Sequence, residues 1–488
     1  MNNFCIKNYK SIIGLEVHLQ LLTKSKFFSS ELNNYTLKPN KNIDLFTLAH
    51  PGVLPSINKK AIEFAIKMGL MCYSDITKKN FFDRKNYFYP DMAKGYQITQ
   101  NKTPICRNGY ISINNNKNNQ KKININRIQL EEDSGKLIHD ILNKKTLINF
   151  NRGGIPLIEI ITDPIIKDSD EACLFLTEIR KIIRYLEICN DNMEEGALRC
   201  DVNISLMLKS EKIFGKKVEI KNINSIKNVK LAIEHEIKRQ FKILQKKGKI
   251  TSETRHFNAL KNITISQREK EGLNDYRYFM EPDLSPVVIS SLWINAIKKK
   301  ISSLPINFFN KFLKLYNLSY YNINIILNDK NIVLFFDKLC NLTFYYKSVI
   351  NWIIGPIKLF INKNKVSIEN IPIQLKNLII LIELIELKKI SFSFAYQNIY
   401  FYLLKNYKIS LLCIIKKFNL IQENNNRKII KLINILVKNY IDKIYEYCNG
   451  KKGIFGMLVG ITTKDKINKI NLKKISIFLK KKINIFNN

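Results

Sequence analysis

Apolar and polar residues alternate with a period of two in several segments of the first half of this chain. Successive side chains of a β-strand point to opposite faces, so such segments fold naturally as strands with one buried and one polar face. The sequence therefore predicts a sheet-based N-terminal domain. The segments are GLEVHLQL (14–21), GYISI (109–113), KININRIQL (122–130) and LRCDVNISL (198–206).

Helical patterns interrupt and then replace the strands. Apolar residues recur at helical spacing in Glu171–Leu186 and Val229–Leu244, which predicts two helices packed over the sheet. After Pro286 the chain is rich in Leu, Ile, Phe, Tyr and Lys at helical spacing, with few glycines or prolines. We therefore expect an α+β fold: a cradle-like mixed or antiparallel sheet domain, then an all-helical domain, then a small helical tail domain. The predicted boundaries are 1–290, 291–408 and 409–488.

The chain is strongly basic, with 80 Lys and Arg against 41 Asp and Glu, a formal net charge of +39. From Ser291 onward there are 33 basic and 9 acidic residues, a net charge of +24, which leaves +15 for the residues before it. This distribution favours a polyanionic partner, either nucleic acid or an anionic membrane surface. AT-rich codon usage, which inflates Lys, Asn and Ile, explains the excess equally well.

The cysteines and the apolar runs indicate a soluble cytoplasmic protein. The nine cysteines never form a C-x-x-C pair, so neither a zinc ribbon nor a redox motif is predicted, and buried thiols in a reducing compartment are expected. No run reaches the roughly 18 apolar residues of a membrane span. Even Leu375–Leu387 is interrupted by Glu383 and Glu386. We expect no membrane association.

The first strand offers two metal-binding side chains on one face. In GLEVH, Glu16 and His18 point together, about 6.6–7 Å apart along the strand. A carboxylate and an imidazole at that separation can both reach one metal ion or bound water. A solvated face of an antiparallel sheet has the same pattern, so this strand alone leaves both interpretations open.

Further carboxylates interrupt apolar segments. Glu159 lies within PLIEII, where an unpaired charge would cost several kcal/mol, so it requires a cation. In LRCDVNIS, Arg199, Asp201 and Asn203 share a face that suits either Mg²⁺ or a ladder of ion pairs. The other carboxylates are Glu131, Glu132, Asp133, Glu194, Glu195 and Glu219.

Phosphate-binding motifs of the common kinds are absent. The sequence has neither G-x-x-x-x-G-K-[ST] nor G-x-G-x-x-G, so a P-loop or a Rossmann fingerprint is not predicted. Cations among aromatic residues in DRKNYFYPDMAKGYQ (83–97) are candidate phosphate holders and also suit a nucleotide base or an RNA end.

Nine segments resemble one known family, and they occur in that family's order across nearly 16–284. We identify the chain as similar to the B subunit of aspartyl/glutamyl-tRNA amidotransferases. Its tail segment GKKGIFGMLVG (450–460) is similar as well, though less closely. The nine segments are GLEVHLQLLTKSKFF, HPGVLPSIN, DRKNYFYPDMAKGYQITQ, RIQLEEDSGKLIH, NFNRGGIPLIEIITDP, RYLEICNDNMEEGALRCDVNIS, VEIKNINS, ETRHF and DYRYFMEPDL.

The resemblance implies a cradle-shaped N-terminal domain and a two-step reaction. ATP phosphorylates the side-chain carboxylate of Asp-tRNA(Asn) or Glu-tRNA(Gln), and ammonia from a glutaminase (A) subunit then forms the amide. A small linking (C) subunit completes a heterotrimer. The alternative is a non-catalytic tRNA-binding protein derived from this family.

The resemblance also implies roles for residues, with Mg²⁺ and ATP bound. Many members of the family carry zinc-binding cysteines soon after the KSKLF motif, but none lies in 28–48 here, so no zinc is predicted. The tail departs from the family's Gly-Lys-Ala-Asn-Pro pattern, so its contacts are assigned only to basic residues. The assignments are: metal, Glu16, His18, Glu132 and Glu159, with Asp201 and Glu219 as a second shell or a second metal site; catalytic, Glu132, Asp201 and Glu219; ATP phosphate, Lys85, Lys94 and Arg199; tRNA, Lys451, Lys452, Lys464 and Lys466.

Overall fold

The structure is a computed structural model in which the chain forms two compact units, Met1–Pro305 and Ile306–Asn488. We call them the N-terminal and the C-terminal unit. The residues that the structure describes are 8–34, 36, 38–114, 120–140, 144–211, 213–269, 276–301, 305–418, 426–464 and 472–484.

All the described strands belong to the N-terminal unit. They are β1 (Tyr9–Gln20), β2 (Asp75–Ile76), β3 (Lys79–Asn80), β4 (Asp83–Asn86), β5 (Tyr96–Thr99), β6 (Cys106–Arg107), β7 (Tyr110–Asn114), β8 (Gln120–Glu132), β9 (Lys136–Asp140), β10 (Lys145–Asn149), β11 (Pro156–Thr162), β12 (Leu198–Leu208), β13 (Val218–Lys221), β14 (Glu253–Asn258), β15 (Ile263–Glu269), β16 (Phe279–Met280) and β17 (Val287–Val288).

The main sheet is mixed and ten-stranded. Its order is β15-β14-β13-β12-β1-β11-β8-β6-β2, with β7 also paired to β8. Only the β13–β14 pair within it is parallel among the described strands. In β1, Leu15, Val17 and Leu19 are fully buried, which gives the sheet an apolar face and turns the intervening polar residues to the other face.

Helices cover the apolar face. In the helix Ser169–Leu186, Asp168 caps the N-terminus by accepting a hydrogen bond from the Glu171 N–H at 2.8 Å, as Asp or Ser commonly do at this position. The two helices predicted between strands are therefore present, and they contact each other and the sheet. The helices of the unit are α1 (Lys59–Met71), α2 (Ser169–Leu186), α3 (Ile226–Gln245) and α4 (Ser291–Lys300).

The N-terminal unit extends beyond the boundary predicted at residue 290. Helix α4 packs on α1, and Ile297 is 3% exposed within the core of this unit. Trp293 packs against the same core. The predicted boundary coincides with the start of a helix, but the apolar side of that helix belongs to the preceding unit.

The C-terminal unit is helical throughout its described residues. Within it, buried apolar residues between Ile429 and Ile483 form a cluster of their own. The unit is not divided further, so the boundary predicted at 408/409 remains a prediction. Short π-helical segments at Ile353–Ile357 and Ala395–Tyr400 continue neighbouring helices. The α-helices are α5 (Pro305–Lys314), α6 (Tyr320–Leu327), α7 (Lys330–Cys340), α8 (Tyr346–Trp352), α9 (Lys358–Asn364), α10 (Leu375–Glu386), α11 (Phe392–Phe394), α12 (Phe401–Lys405), α13 (Leu411–Phe418), α14 (Asn426–Asn439), α15 (Ile441–Cys448), α16 (Gly453–Lys464) and α17 (Leu472–Asn484).

The predicted α+β fold class, with a mixed sheet followed by helices, is confirmed. Among the described residues, no helix is both long enough and apolar enough to cross a bilayer.

Candidate metal centre

The polar face of the sheet gathers acidic residues from neighbouring strands. In the antiparallel pairing of β1 with β12, Glu16 lies opposite Asp201 and His18 lies opposite Arg199. In the pairing of β1 with β11, His18 lies opposite Glu159. Directly paired residues on one face have Cβ atoms about 4.5–5.5 Å apart, so the register alone brings these side chains together.

His18, Glu131 and Glu159 form the first of two groups, which we call the His18 cluster. The Nε2 atom of His18 lies 3.5 Å from Oε1 of Glu131 and 3.5 Å from Oε1 of Glu159. One ligand atom from each residue lies within 4.8 Å of the other two. Both carboxylates are buried. A cation at the centre can therefore be reached by all three side chains.

Burial disfavours charge on every member of the His18 cluster. It lowers the pKa of His18 to about 3, and the nearby Arg199 contributes to this lowering. Burial raises the pKa of Glu131 to about 7, and burial together with Glu131 and Glu16 raises the pKa of Glu159 well above its ordinary value. Two buried carboxylates beside a neutral imidazole thus lack sufficient positive charge, which a bound cation would supply.

Lys85, which was predicted to bind phosphate, is a cation near this cluster. Burial lowers its pKa, but the carboxylates of Glu131 and Glu159 help to raise it more, so the net pKa is above the ordinary value. Its Nζ atom lies 4.8 Å from the ring centre of Tyr276 and 5.9 Å from that of Tyr87. The structure therefore places a charged ammonium group beside the His18 cluster, next to two aromatic rings.

Glu16, Asp201 and Glu219 form the second group, which we call the Glu16 cluster. One ligand atom from each lies within 4.8 Å of the other two. Lys221 contacts this group, with Nζ 3.2 Å from Oδ2 of Asp201 and 3.4 Å from Oε1 of Glu219. The Asp201 carboxylate is the main cause of the raised pKa of Lys221, although burial opposes it. One ammonium group cannot balance three carboxylates.

The two clusters divide Glu16 and His18, which were predicted to bind one metal, between different groups of possible ligands. The two residues share a face of β1, but each meets partners from different strands. His18 meets residues from β8 and β11, whereas Glu16 meets residues from β12 and β13. Asp201 and Glu219, predicted as catalytic, join Glu16 in a ligand set of their own.

Among the described residues, Glu132, which was predicted as a metal ligand, is a member of neither cluster. Residues 131 and 132 are adjacent on β8, so their side chains point to opposite faces. Lys94, predicted to hold phosphate, places its Nζ atom 2.6 and 2.8 Å from the two carboxylate oxygens of Glu132. The Ile98 N–H also donates to Glu132, at 2.9 Å. The pair is buried and serves as an internal ion pair between two segments of the chain.

Arg199 borders the His18 cluster and holds Asp133. Its Nη2 donates to Oδ2 of Asp133 at 2.8 Å, and Gln20 donates to the same oxygen at 2.9 Å. Burial lowers the pKa of Arg199, but Asp133 helps to raise it more, so the guanidinium stays charged. The Nε atom of Arg199 is buried without a hydrogen-bond partner among the described residues. One donor of this residue can therefore serve an added acceptor.

A cavity of about 730 Å³ opens beside Arg199 and Asp201. Side-chain amides line much of it, together with three cations (Lys136, Arg152 and Arg199) and three carboxylates (Glu194, Glu195 and Asp201), which suits a polar small molecule. Its volume falls within the range of about 300–1,000 Å³ that is typical of ligand sites. The amide and cationic lining residues are Gln20, Asn33, Asn34, Lys136, Asn149, Asn151, Arg152, Asn190, Arg199, Asn222 and Asn224.

Comparison with known proteins places the chain in a family. A model described as the GatB/GatE catalytic domain matches residues 11–295, and one described as the GatB domain matches residues 334–483. The B subunits of aspartyl/glutamyl-tRNA(Asn/Gln) amidotransferase from Caldicellulosiruptor bescii and Clostridium novyi are each 39% identical over 478 residues. The alignments cover 97% and 98% of this chain, and 99% and 100% of those proteins. The chain belongs to the GatB/GatE family.

Membership of the GatB/GatE family confirms the resemblance that the nine segments carry. The corresponding protein from Legionella pneumophila is 37% identical over 482 residues, covering 97% of this chain and 99% of that protein. Both clusters lie within the span of the GatB/GatE catalytic domain.

The predicted tRNA contacts fall in the part that matches the GatB domain. Lys451 is exposed, and its Nζ atom lies 3.1 Å from Oε2 of Glu446, while Lys452 is also exposed. Lys464 ends α16, and Lys466 lies outside the described residues. Binding of tRNA by these residues remains a prediction.

The donor set of the two clusters suits a hard cation. It consists of five carboxylates and one imidazole, and carboxylate oxygens are the ligands that Mg²⁺ prefers. Neither cluster includes a cysteine, which Zn²⁺ favours in structural sites. The absence of zinc from this member of the GatB/GatE family remains a prediction.

Proposed function

We propose that this chain is the amide-forming subunit of a tRNA-dependent amidotransferase. It converts Asp-tRNA(Asn), Glu-tRNA(Gln) or both into the corresponding amides through an acyl phosphate made from ATP. The relatives are B subunits of aspartyl/glutamyl-tRNA(Asn/Gln) amidotransferases, and this chain covers nearly their whole length. The single observation that carries the proposal is the pair of adjacent carboxylate clusters on one face of the sheet.

The reaction has two chemical steps at the side-chain carboxylate of the substrate. In the first, an oxygen of the Asp or Glu side chain forms a bond to the γ-phosphorus of ATP, and the bond to ADP breaks. In the second, ammonia forms a bond to the acyl carbon, phosphate leaves with the electrons of the broken C–O bond, and nitrogen loses a proton. Mg²⁺ bound by the clusters would neutralise negative charge on the phosphates.

The two clusters would hold separate ions. We assign metal binding to His18, Glu131 and Glu159 in one cluster and to Glu16, Asp201 and Glu219 in the other. Burial disfavours charge on the members of the His18 cluster, so a cation there would relieve the repulsion between two carboxylates that water does not solvate.

The cations around the clusters would position phosphate groups. Arg199 carries one buried donor without a partner among the described residues, and it borders the polar cavity. Lys85 keeps its charge beside Glu131 and Glu159. We assign the nucleotide to the cavity and the phosphoryl group to the space between Arg199 and Lys85, where both positive charges can act during transfer.

The proposal includes partners and a cellular location. Ammonia is reactive only as the free base and is lost readily to water, so a glutaminase (A) subunit must deliver it, and a small linking (C) subunit joins the two. The relatives are themselves single subunits of larger enzymes, which supports a complex with other chains. Misacylated tRNA is the substrate, and the cytoplasm, where tRNA is charged, is the proposed location.

Co-purification of the chain with the two partner subunits provides the test. The complex is incubated with each misacylated tRNA, glutamine, ATP and Mg²⁺, and Asn-tRNA and Gln-tRNA are measured. We expect at least one amide, and a loss of about 10²-fold or more in Glu131→Gln, since removing a ligand weakens stabilisation of the phosphoryl transition state. Glu63→Gln, a half-buried carboxylate of α1, is the control. Formation of neither amide with retained tRNA binding would favour the non-catalytic alternative.

A further inference from the structure

Each cluster contains one carboxylate with an oxygen that a buried side-chain amide holds. In the His18 cluster, Nε2 of Gln129 donates to Oε2 of Glu159 at 2.5 Å, and it also lies 3.3 Å from Oγ1 of Thr99. Gln129 is opposite Glu159 in the pairing of β8 with β11. The oxygen that Gln129 holds differs from Oε1, which faces His18.

The Glu16 cluster repeats this arrangement with another amide. Nδ2 of Asn203 donates to Oε1 of Glu16 at 2.7 Å. Asn203 is two residues beyond Asp201 on β12 and shares its face, and it lies opposite Glu219 on β13. The amide therefore contacts one ligand and borders the other two.

Both amide side chains are buried, and the unpaired oxygen of each lowers the stability of the fold. Gln129 is 6% exposed and Asn203 is 9% exposed. The amide oxygens of both are buried and have no hydrogen-bond partner among the described residues. A buried acceptor without a partner costs about 1–3 kcal/mol, so a purely structural position would favour an apolar side chain.

The number of oxygens that a carboxylate offers affects which metal ion it binds best. An amide N–H bound to one oxygen occupies a lone pair of that oxygen and fixes the orientation of the carboxylate, which favours coordination of an ion through the other oxygen alone. Ca²⁺ takes six to eight oxygens and often uses both oxygens of a carboxylate, whereas Mg²⁺ takes six ligands and keeps several waters. Single-oxygen carboxylates therefore match Mg²⁺ and deprive Ca²⁺ of ligands.

We propose that Gln129 and Asn203 are positioning residues that make the two clusters selective for Mg²⁺ over Ca²⁺ by holding Glu159 and Glu16 to one ligand oxygen each. This inference rests on the proposed function, because it assumes that the clusters bind metal. It adds which ion they reject and which residues cause the rejection.

The test measures Mg²⁺ and Ca²⁺ affinities by calorimetry on the full chain, with Mn²⁺ electron paramagnetic resonance as a second readout of site occupancy. Gln129→Met and Asn203→Leu remove the amide donors with little change in side-chain volume. We expect wild type to prefer Mg²⁺ at both sites. Each variant should lose about 10- to 100-fold in Mg²⁺ affinity at one site, because the ligand is no longer positioned, whereas Ca²⁺ affinity at that site should rise, because the carboxylate regains its second oxygen.

Gln240→Met is the matched control. Gln240 is a fully buried amide that donates to Glu236 at 2.9 Å and accepts a hydrogen bond from the backbone of β12 at 3.0 Å. It belongs to neither cluster, so its variant should unfold more easily but keep the ratio of Mg²⁺ to Ca²⁺ affinity.

The outcomes separate this inference from the proposed function. Wild type that binds neither Mg²⁺ nor Mn²⁺ would overturn both. Wild type that binds Mg²⁺ without preference over Ca²⁺, or variants in which both affinities fall by one common factor, would overturn only the selectivity role. Because the two variants act at separate sites, either one that folds suffices, and the wild-type comparison needs no variant.

Discussion

His18 and Glu159 are paired directly across β1 and β11, with Nε2 of the imidazole 3.5 Å from Oε1 of the carboxylate. This pairing links the chemistry of the site to the register of the sheet. A shift of one residue would turn every ligand on β1 to the apolar face, so the same contacts that define the fold also define the site.

Exchange of Glu131 and Glu132 for glutamine distinguishes a ligand from a structural ion pair. Glu131→Gln removes a charged donor from the His18 cluster, and we expect a fall in Mg²⁺ affinity of about 10-fold or more with little loss of stability. Glu132→Gln leaves the Lys94 ammonium buried without its counter-charge, which costs about 3–5 kcal/mol. Calorimetric titration with Mg²⁺ and urea unfolding measure the two effects.

The double variant Lys94→Met with Glu132→Gln is the control for this pair. It removes both charges, so much of the stability lost in Glu132→Gln should return. A larger loss of Mg²⁺ affinity in Glu132→Gln than in Glu131→Gln would contradict the assignment of Glu131 as the ligand.

Binding of Mg²⁺ to the His18 cluster should depend on pH through Glu131. Burial raises the pKa of Glu131 to about 7 and lowers the pKa of His18 to about 3, so near pH 6 only the carboxylates must release protons. Because each protonated carboxylate must release its proton, affinity should rise by at least about tenfold per pH unit below about pH 7. Titrations at about pH 6, 7 and 8 in buffers of different ionisation enthalpy measure both the affinity and the protons released; an affinity independent of pH would remove Glu131 from the ligand set.

Glu131 also makes stability fall as pH rises in the metal-free chain. Its folded pKa of about 7 exceeds the ordinary value of 4.5, so the folded state binds more protons than the unfolded state between these values. Its contribution to the free energy of unfolding therefore decreases as pH increases through that window. Urea unfolding in EDTA at about pH 5 and pH 7 should show this decrease in wild type relative to Glu131→Gln; an identical pH dependence would count against it.

The sequence predicted which residues belong to this site better than it predicted how they are grouped. Period-two alternation identified β1, β7, β8 and β12, and the candidate residues Glu16, His18, Glu159, Asp201 and Glu219 all lie in the clusters. Which of them meet in one cluster depends on strand order, because β1 lies between β11 and β12. Strand order arises from contacts far apart in the chain, and local pattern does not encode it.

The choice between Glu131 and Glu132 illustrates the same limit. Adjacent residues on a strand face opposite sides, so only one of the two could face the cluster. Gln129 shares a face with Glu131 and contacts Glu159, which settles the choice only once the pairing of β8 with β11 is known. Lys94 and Glu132 are likewise 38 residues apart in the sequence, so a local pattern does not predict their ion pair.

Truncation tests the boundary between the two units. A chain that ends at Ser290 lacks α4 and exposes the face of α1 on which it packs, whereas a chain that ends at Pro305 keeps this contact. Loss of Ile297 and Trp293 from the core should cost several kcal/mol. Thermal unfolding should give a melting temperature lower by several degrees for the shorter chain; equal values would place the boundary at residue 290.

Two neighbouring lysines of the tail should contribute unequally to tRNA binding. Lys451 lies 3.1 Å from Glu446, which already neutralises part of its charge, whereas Lys452 has no such ion pair among the described residues. Lys452→Gln should therefore weaken tRNA binding more than Lys451→Gln, and should reduce the slope of log K against log salt by roughly 0.7–0.9. Filter binding at several salt concentrations measures this, and equal slopes in all three proteins would remove Lys452 from the contact.

The most direct measurement of the central claim is an anomalous difference map from crystals of the chain soaked in Mn²⁺. We predict two peaks, one among His18, Glu131 and Glu159 and the other among Glu16, Asp201 and Glu219, each about 2.0–2.3 Å from the ligand atoms. Their absence from both clusters, or a peak bound by Glu132 instead, would contradict the two-site arrangement.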